Sequence, residues 1–389
     1  MADVYDFWAN RQPQADLDAI DAFWAAFTVQ SARFDAMLSG RERASGSDTI
    51  PGLMAEALGP LAHRIFWEFG PGEASPDGPG FFLALTPELY GSKRPLARAF
   101  VNRAPTLAGW SFGDARRSLP STEPLLDLVA SRAFGQQQLT GAWVAPGTHR
   151  RIDVIGQGRG DGIDGQAGLL FSLVLGEAVE RDWLGELTAK PMPPKGLAER
   201  LRRSAAENRP TWIDRFAEEA RALHQTLAND LPHLPFAPSR NQAEATLFNV
   251  TPRKDDWPRA DMITYRTTRP DYAAARFAAV TIAAPRFSSM AESFLALRLA
   301  RTPEHPFEEI EEREILATAI DTALREAEIG GVFGEGHGHE HVYVDFAVTE
   351  IAKAIDVVGR VLREGGQTAP GHILFDEDGL TDLTLPVES

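Results

Sequence analysis

The fold is decided by the stretch from Gly330 to Phe346, GGVFGEGHGHEHVYVDF, together with the residues that follow it. Within it, VYVDF alternates apolar and polar residues in the manner of a strand. A helix is predicted over Thr349 to Arg363, with its apolar residues on one face, and a short strand over Ile373 to Phe375 closes the unit. A strand, a crossover helix and a second strand, preceded by another strand, are typical of a ferredoxin-like sandwich.

The first half of the chain contains a comparable unit. Here FFLALT is followed by a predicted helix over Ser92 to Arg103 and by the strand WSF. An amphipathic helix over Asp16 to Leu38 comes before it, and its aromatic stripe indicates either core packing or a groove for a partner. The sequence therefore predicts the α+β class, with two α/β sandwich domains of ferredoxin-like split βαβ units and a distant duplication between the halves.

The segment Lys190 to Gly196, KPMPPKG, is the strongest boundary signal, because its three prolines interrupt both helices and strand ladders. We expect an N-terminal α/β domain at 1–189, a Pro-rich and helical linker at 190–240 and an acidic C-terminal α/β domain at 241–389. The 389 residues, 43% of them hydrophobic, are enough for two cores.

Negative charge is concentrated near the C-terminus. The net charge of the chain is -16, and residues 301–389 hold 20 acidic against 6 basic residues, which is -14. Such a module repels nucleic acid, whose binding requires neutralised phosphates. Two interpretations stay open: a solvated surface that aids solubility, or a docking face for a basic protein partner. The docking residues would be Glu308, Glu309, Glu311 and Glu312.

Cysteine is absent, which excludes disulfides, thiolate zinc sites, iron–sulfur clusters and a cysteine nucleophile. The first residues, MADVYDFWANRQ, lack the basic region and apolar core of a secretory signal. The longest apolar runs have strand length and fall short of the roughly 20 residues of a membrane helix. We expect a cytoplasmic protein with no membrane partner.

His337, His339 and His341 alternate, so on one extended strand all three would project to the same side and could hold Zn²⁺ or Ni²⁺. Asp345 or Glu340 could assist a hydrolytic reaction there. Against this, neither H-x-H-x-D-H nor H-E-x-x-H is present, and a glycine-flanked loop loses entropy when it closes on a metal. Adventitious metal affinity and a plain polar loop are the alternatives.

Two glycine motifs match enzyme signatures in form only. Gly109 to Gly113 reads G-x-S-x-G, but a helix and a proline loop precede it, where a nucleophile elbow needs a strand. Gly160 to Gly165 reads G-x-G-x-x-G, and dinucleotide binding there requires a helix directly afterwards. The pattern predicts a strand over Gly168 to Leu175 instead, which makes the glycines a hairpin loop. A calcium site at Asp161 and Asp164 is the alternative.

WEFGPG at Trp67 to Gly72 and LAGWSF at Leu107 to Phe112 resemble a bacterial domain family of unknown function that is grouped with the regulators of ribonuclease E activity B. The C-terminal part of the chain is similar to a second element of such proteins. This part comprises Gly334 to Gly338, VYVDF, a helix and ILF. The resemblance covers about a third of the chain. It implies small α/β sandwiches that bind or regulate, and it brings no catalytic residues.

Two functions follow from these observations. The first is a cytoplasmic binding or regulatory protein that acts through protein–protein contacts, with no catalytic site and no cofactor. The alternative is a zinc-dependent hydrolase that uses the histidine cluster.

Overall fold

The structure is a computed structural model that describes residues 4–42, 49–72, 80–88, 90–125, 138–191, 212–236, 238, 244–254, 257–301, 308–367, 369–377 and 380–385. Its class is α+β, as the sequence predicts. Three sheets organise these residues, two with three strands and one with seven. No helix in the described ranges combines the length and the apolar character needed to cross a membrane.

The first unit contains the helices α1 (Val4–Ala9), α2 (Gln14–Leu38), α3 (Ile50–Leu58) and α4 (Arg94–Asn102) and the strands β1 (Phe66–Pro71), β2 (Phe81–Thr86) and β3 (Trp110–Gly113). β1 and β2 are antiparallel, whereas β2 and β3 are parallel neighbours connected by α4. The aromatic stripe of α2 lies in the core of this unit, which confirms core packing. Its buried members are Phe23, Trp24, Phe27 and Phe34.

The second unit repeats this arrangement. It contains β4 (Gln138–Pro146), β5 (Ile152–Arg159), α5 (Ile163–Leu175), α6 (Glu177–Trp183), β6 (Leu184–Pro191) and α7 (Trp212–Asn229). β4 and β5 are antiparallel, and β5 and β6 are parallel neighbours. The N-terminal part of the chain thus holds two β-β-α-β units, each with its own core.

The prediction of a strand over Gly168 to Leu175 is wrong, because this segment forms most of α5. α5 packs on β5, β6 and α7 together, so it is apolar on several sides and the helical period is lost from its sequence. Gly168 allows the close approach to β6, since a Cβ at this position would lie 3.1 Å from Leu187 Cδ1.

The helical second half of the predicted linker belongs to the second core. α7 packs on β4 and α5, and Ile213, Phe216 and Ala220 on its inner face are fully buried. Residues 192–211 lie outside the described part of the chain, so a boundary at the prolines stays a prediction.

The third unit contains β7 (Thr246–Asn249), β8 (Met262–Thr267), α8 (Pro270–Phe277), β9 (Ser293–Ala300), α9 (Glu308–Glu326), β10 (Gly330–Gly338), β11 (His341–Val348), α10 (Ile351–Glu364), β12 (Gly371–Phe375) and β13 (Leu383–Leu385). The order β12-β9-β11-β10 is that of a ferredoxin-like fold, which confirms the split βαβ unit. In the first unit, by contrast, β2 and β3 are direct neighbours. The first and third units, which the sequence analysis compares as a possible duplication, therefore differ in topology.

Both faces of the seven-stranded sheet are covered. Val344 and Phe346 point towards the core beneath α9 and α10, as their alternation predicts. Asp345 points to the opposite face and is fully buried there. Two buried arginines neutralise it: Arg259 Nη1 lies 2.7 Å and Arg276 Nη1 3.2 Å from Asp345 Oδ1. Asp345 is therefore a structural ion-pair partner and is not available to the histidine cluster.

Helix α1 joins the first unit to the third. It packs on α4, while Val4 and Phe7 lie in the core beneath α10. The ring of Phe7 lies 5.8 Å from that of Phe375 in β12. As a result, α4, the second unit and the third unit meet around Tyr5.

Candidate anion-binding site

Two adjoining cavities lie where the three units meet. The smaller, about 230 Å³, is called the arginine chamber, and the larger, about 470 Å³, the wide chamber. They share four wall residues: Tyr5, Arg94, Arg181 and Asp182. The two cavities therefore adjoin at these four residues.

Four arginines from different parts of the chain line the arginine chamber. Arg94 begins α4, Arg151 directly precedes β5 and Arg181 lies in α6. Arg286 ends a short 3₁₀ turn that precedes β9. The carboxylates in this wall are Glu180 and Asp182, so cations outnumber anions by four to two.

Arg286 is the most unusual of these residues, because its side chain is buried without a carboxylate of the described residues in ion-pair contact. It is 2% exposed. Its guanidinium donates to two backbone carbonyls, His149 O at 3.2 Å and Thr281 O, and no carboxylate among the described residues forms an ion pair with it. Burial lowers the pKa of Arg286 to about 10; Arg151 adds to this decrease and Asp182 opposes it.

A left-handed turn places the carbonyl that Arg286 contacts. His149 and Arg150, between β4 and β5, have φ angles of 55° and 59°. Such angles are uncommon for residues other than glycine and typically strain the backbone by about 1–3 kcal/mol. Arg150 Nε holds the turn against α8, 3.0 Å from Asp271 Oδ2. Burial lowers the pKa of His149, and so do Arg151 and Arg286 nearby.

Two of the four chamber arginines, Arg181 and Arg94, do have partners. Arg181 forms a two-point ion pair with Asp182, at 2.7 and 2.9 Å. This pair raises the pKa of Arg181, although burial alone lowers it. Arg94 lies over the ring of Tyr5, with 3.4 Å between Cζ and the ring centroid, and donates to the Tyr5 hydroxyl, which donates to Glu377. Burial and the charge of Arg181 lower the pKa of Arg94.

The chamber therefore has a surplus of positive charge at Arg151 and Arg286. Neither has an ion-pair partner in the described part of the chain, and each repels the other. A buried cation without a partner is strongly unfavourable, whereas an anion placed between two guanidinium groups would satisfy both. The arrangement is suited to binding a small anion.

Sequence reasoning did not find these arginines. Arg94, Arg151 and Arg286 occur in RPL, HRRID and APRF, which share no motif. Their convergence depends on the packing of three units, and a single sequence does not contain that information.

The predicted histidine cluster is divided by a hairpin. His337 ends its pairing in β10 opposite Val342, whereas His341 begins β11. Residues paired across strands share a face and successive residues alternate, so His337 and His341 lie on opposite faces. The expectation of a common side is wrong, because the chain turns at His339. The side chain of His341 instead contacts Asp261, with 3.3 Å between Asp261 Oδ2 and His341 Nδ1. The described residues contain no group of three or more potential metal ligands.

The remaining candidates are placed as follows. Residues Glu308, Glu309, Glu311 and Glu312 lie in the first turns of α9, but their side chains are outside the described part, so docking there stays a prediction. Ser111 lies on β3, and its hydroxyl is 3.4 Å from the carbonyl of Phe81. The glycines at 160–165 lead from β5 into α5, so the hairpin interpretation is wrong; Asp161 and Asp164 belong to no metal-binding group of the described residues.

Comparison with protein-family models, with curated proteins and with solved structures gave no match.

Proposed function

We propose that this protein binds a small anionic ligand in the arginine chamber, and that binding joins its three units. The proposal belongs to the class of binding and regulatory proteins. The observation that carries it is the buried guanidinium of Arg286, which has two carbonyl partners and no carboxylate among the described residues.

The position of the chamber supports a regulatory role. Arg94 belongs to the first unit, Arg151 and Arg181 to the second, and Arg286 to the third. An anion that contacts them replaces electrostatic repulsion with attraction between the units, so it favours their closed arrangement. Ligand concentration would then control how firmly the acidic third unit is held, and a basic protein partner is proposed to bind that unit.

The test uses inorganic phosphate as the probe. A ligand that binds only the folded state stabilises it by about 2.7 kcal/mol at 100 times its Kd. We expect phosphate to raise the Tm of the full chain and to give saturable heat in calorimetry. Arg286→Gln should abolish both effects.

Arg215→Gln is the matched control, because Arg215 is exposed on α7 and its ion-pair partner among the described residues is Glu219 in the same helix. This variant should respond to phosphate as the unchanged protein does. A phosphate response that survives in Arg286→Gln would contradict the proposed site.

A further inference from the structure

We infer that the ligand is a phosphate monoester, with its phosphate group in the arginine chamber and its organic group in the wide chamber. This inference rests on the proposed function and adds the chemical class of the ligand.

The charge of the arginine chamber matches a dianion. Its wall holds four guanidinium groups and two carboxylates, Glu180 and Asp182. A phosphate monoester carries about 1.5 to 2 negative charges at neutral pH. It therefore compensates both Arg151 and Arg286, whereas a monocarboxylate leaves one of them without a counter-charge.

The type of cation points the same way. All four basic residues in this wall are arginines, and no lysine lies among the described residues of either chamber. The planar guanidinium offers parallel N–H groups that fit two oxygens of one phosphate, while an ammonium acts as a point charge. A wall built only from arginine is suited to a group with several equivalent oxygens.

The wide chamber suits an uncharged organic group. Trp183, Ala228 and Leu231 contribute apolar surface, and the ring of His224 lies edge-on to Trp183 at 5.0 Å. The charged residues in its wall have partners of their own: Arg98 lies 3.2 Å from Asp114, and Glu292 lies 3.3 Å from Arg269. With about 230 and 470 Å³, the two chambers together have the size of small-ligand pockets, roughly 300–1,000 Å³.

The test compares four probes by calorimetry with the full chain: phenyl phosphate, inorganic phosphate, dimethyl phosphate and succinate. Phenyl phosphate should bind most tightly, because it fills both chambers. Dimethyl phosphate carries a single negative charge, so its affinity should be lower than that of phenyl phosphate, on the order of tenfold, which is the equivalent of one lost charged contact. Succinate has two charges but lacks the tetrahedral group, and we expect it to bind less tightly than inorganic phosphate.

A substitution in the wide chamber tests where the organic group lies. Ala178 is an exposed residue of α6 in that wall, so Ala178→Trp should narrow the chamber without disturbing the core. This substitution should weaken the binding of phenyl phosphate on the order of tenfold and leave the affinity for inorganic phosphate unchanged. Ala222→Trp, at an exposed position of α7 that lines neither chamber, is the control.

The outcomes separate the two proposals. If succinate or dimethyl phosphate binds as tightly as phenyl phosphate, and Arg286→Gln removes that binding, the monoester class is refuted and the anion site stands. If Ala178→Trp leaves phenyl phosphate unchanged, the organic group does not lie in the wide chamber. If Arg286→Gln alters the binding of none of the probes, the proposed function fails as well.

Discussion

Replacing Arg286 by glutamine should stabilise the ligand-free protein, although the side chain is buried. The pKa of Arg286 is lowered from 12.5 to about 10, so keeping its charge is about 3 kcal/mol less favourable in the folded chain than in the unfolded one. The substitution removes this penalty. It also removes hydrogen bonds to His149 O and Thr281 O, each with a net value of about 1 kcal/mol. The expected balance is a gain of roughly 1 kcal/mol in the free energy of unfolding.

Arg276→Gln provides the contrast. Arg276 is almost equally buried but is paired with Asp345 and Asp376. Removing one partner of a buried ion pair typically destabilises a protein by about 3–5 kcal/mol. Urea denaturation in a buffer without phosphate, sulfate or carboxylate measures both variants. If Arg286→Gln loses stability to the same extent as Arg276→Gln, Arg286 is an ordinary structural arginine and the argument for an anion site fails.

Three further predictions concern other parts of the chain. The pKa of His149 is lowered below its ordinary 6.5, so the folded chain binds fewer protons than the unfolded chain and stability should decline as pH falls through 6.5. Denaturation at several pH values should show that His149→Asn weakens this dependence, and an unchanged pH dependence in the variant would contradict the prediction. Replacing four glutamates of α9 by glutamine should slow association with a basic partner strongly at low salt and little at high salt, as stopped-flow mixing would reveal; the residues are Glu308, Glu309, Glu311 and Glu312. Elemental analysis of untagged protein should find less than one equivalent of zinc, because His337 and His341 lie on opposite faces; a tightly held equivalent would favour the hydrolase.

The third unit was the part of the fold most open to prediction from sequence. VYVDF and the helix after it carry clear periods of two and 3.6 residues, because each meets the core with one face of known polarity. Even there, the sequence did not determine the environment of the outer face of β11. Alternation places Tyr343 and Asp345 on one face but leaves open whether Asp345 faces solvent or joins a polar network; the structure buries both residues and pairs Asp345 with Arg259 and Arg276.

The second unit was hardest to predict. α5 is apolar on several sides, so eight of its residues, Gly168 to Leu175, resemble a strand, and this error turned the glycines before it into a hairpin. Short apolar runs leave helix and strand ambiguous when both of their faces are buried. The candidate site could not be predicted from the sequence for a different reason. Arg94, Arg151 and Arg286 are separated by many residues, and they become neighbours only when the three units dock.

The contact of α1 with the third unit sets a constraint on the order of events during synthesis. The Tyr5 hydroxyl donates to Glu377, which is 372 residues later in the chain. Ribosomes add about 5–20 residues per second, so α1 emerges roughly 20 to 70 s before its partner exists. During that interval Val4 and Phe7 have no third core to enter. Helix α1 is thus translated long before it can dock on the third unit, and in the nascent chain it is an apolar segment that chaperones can recognise.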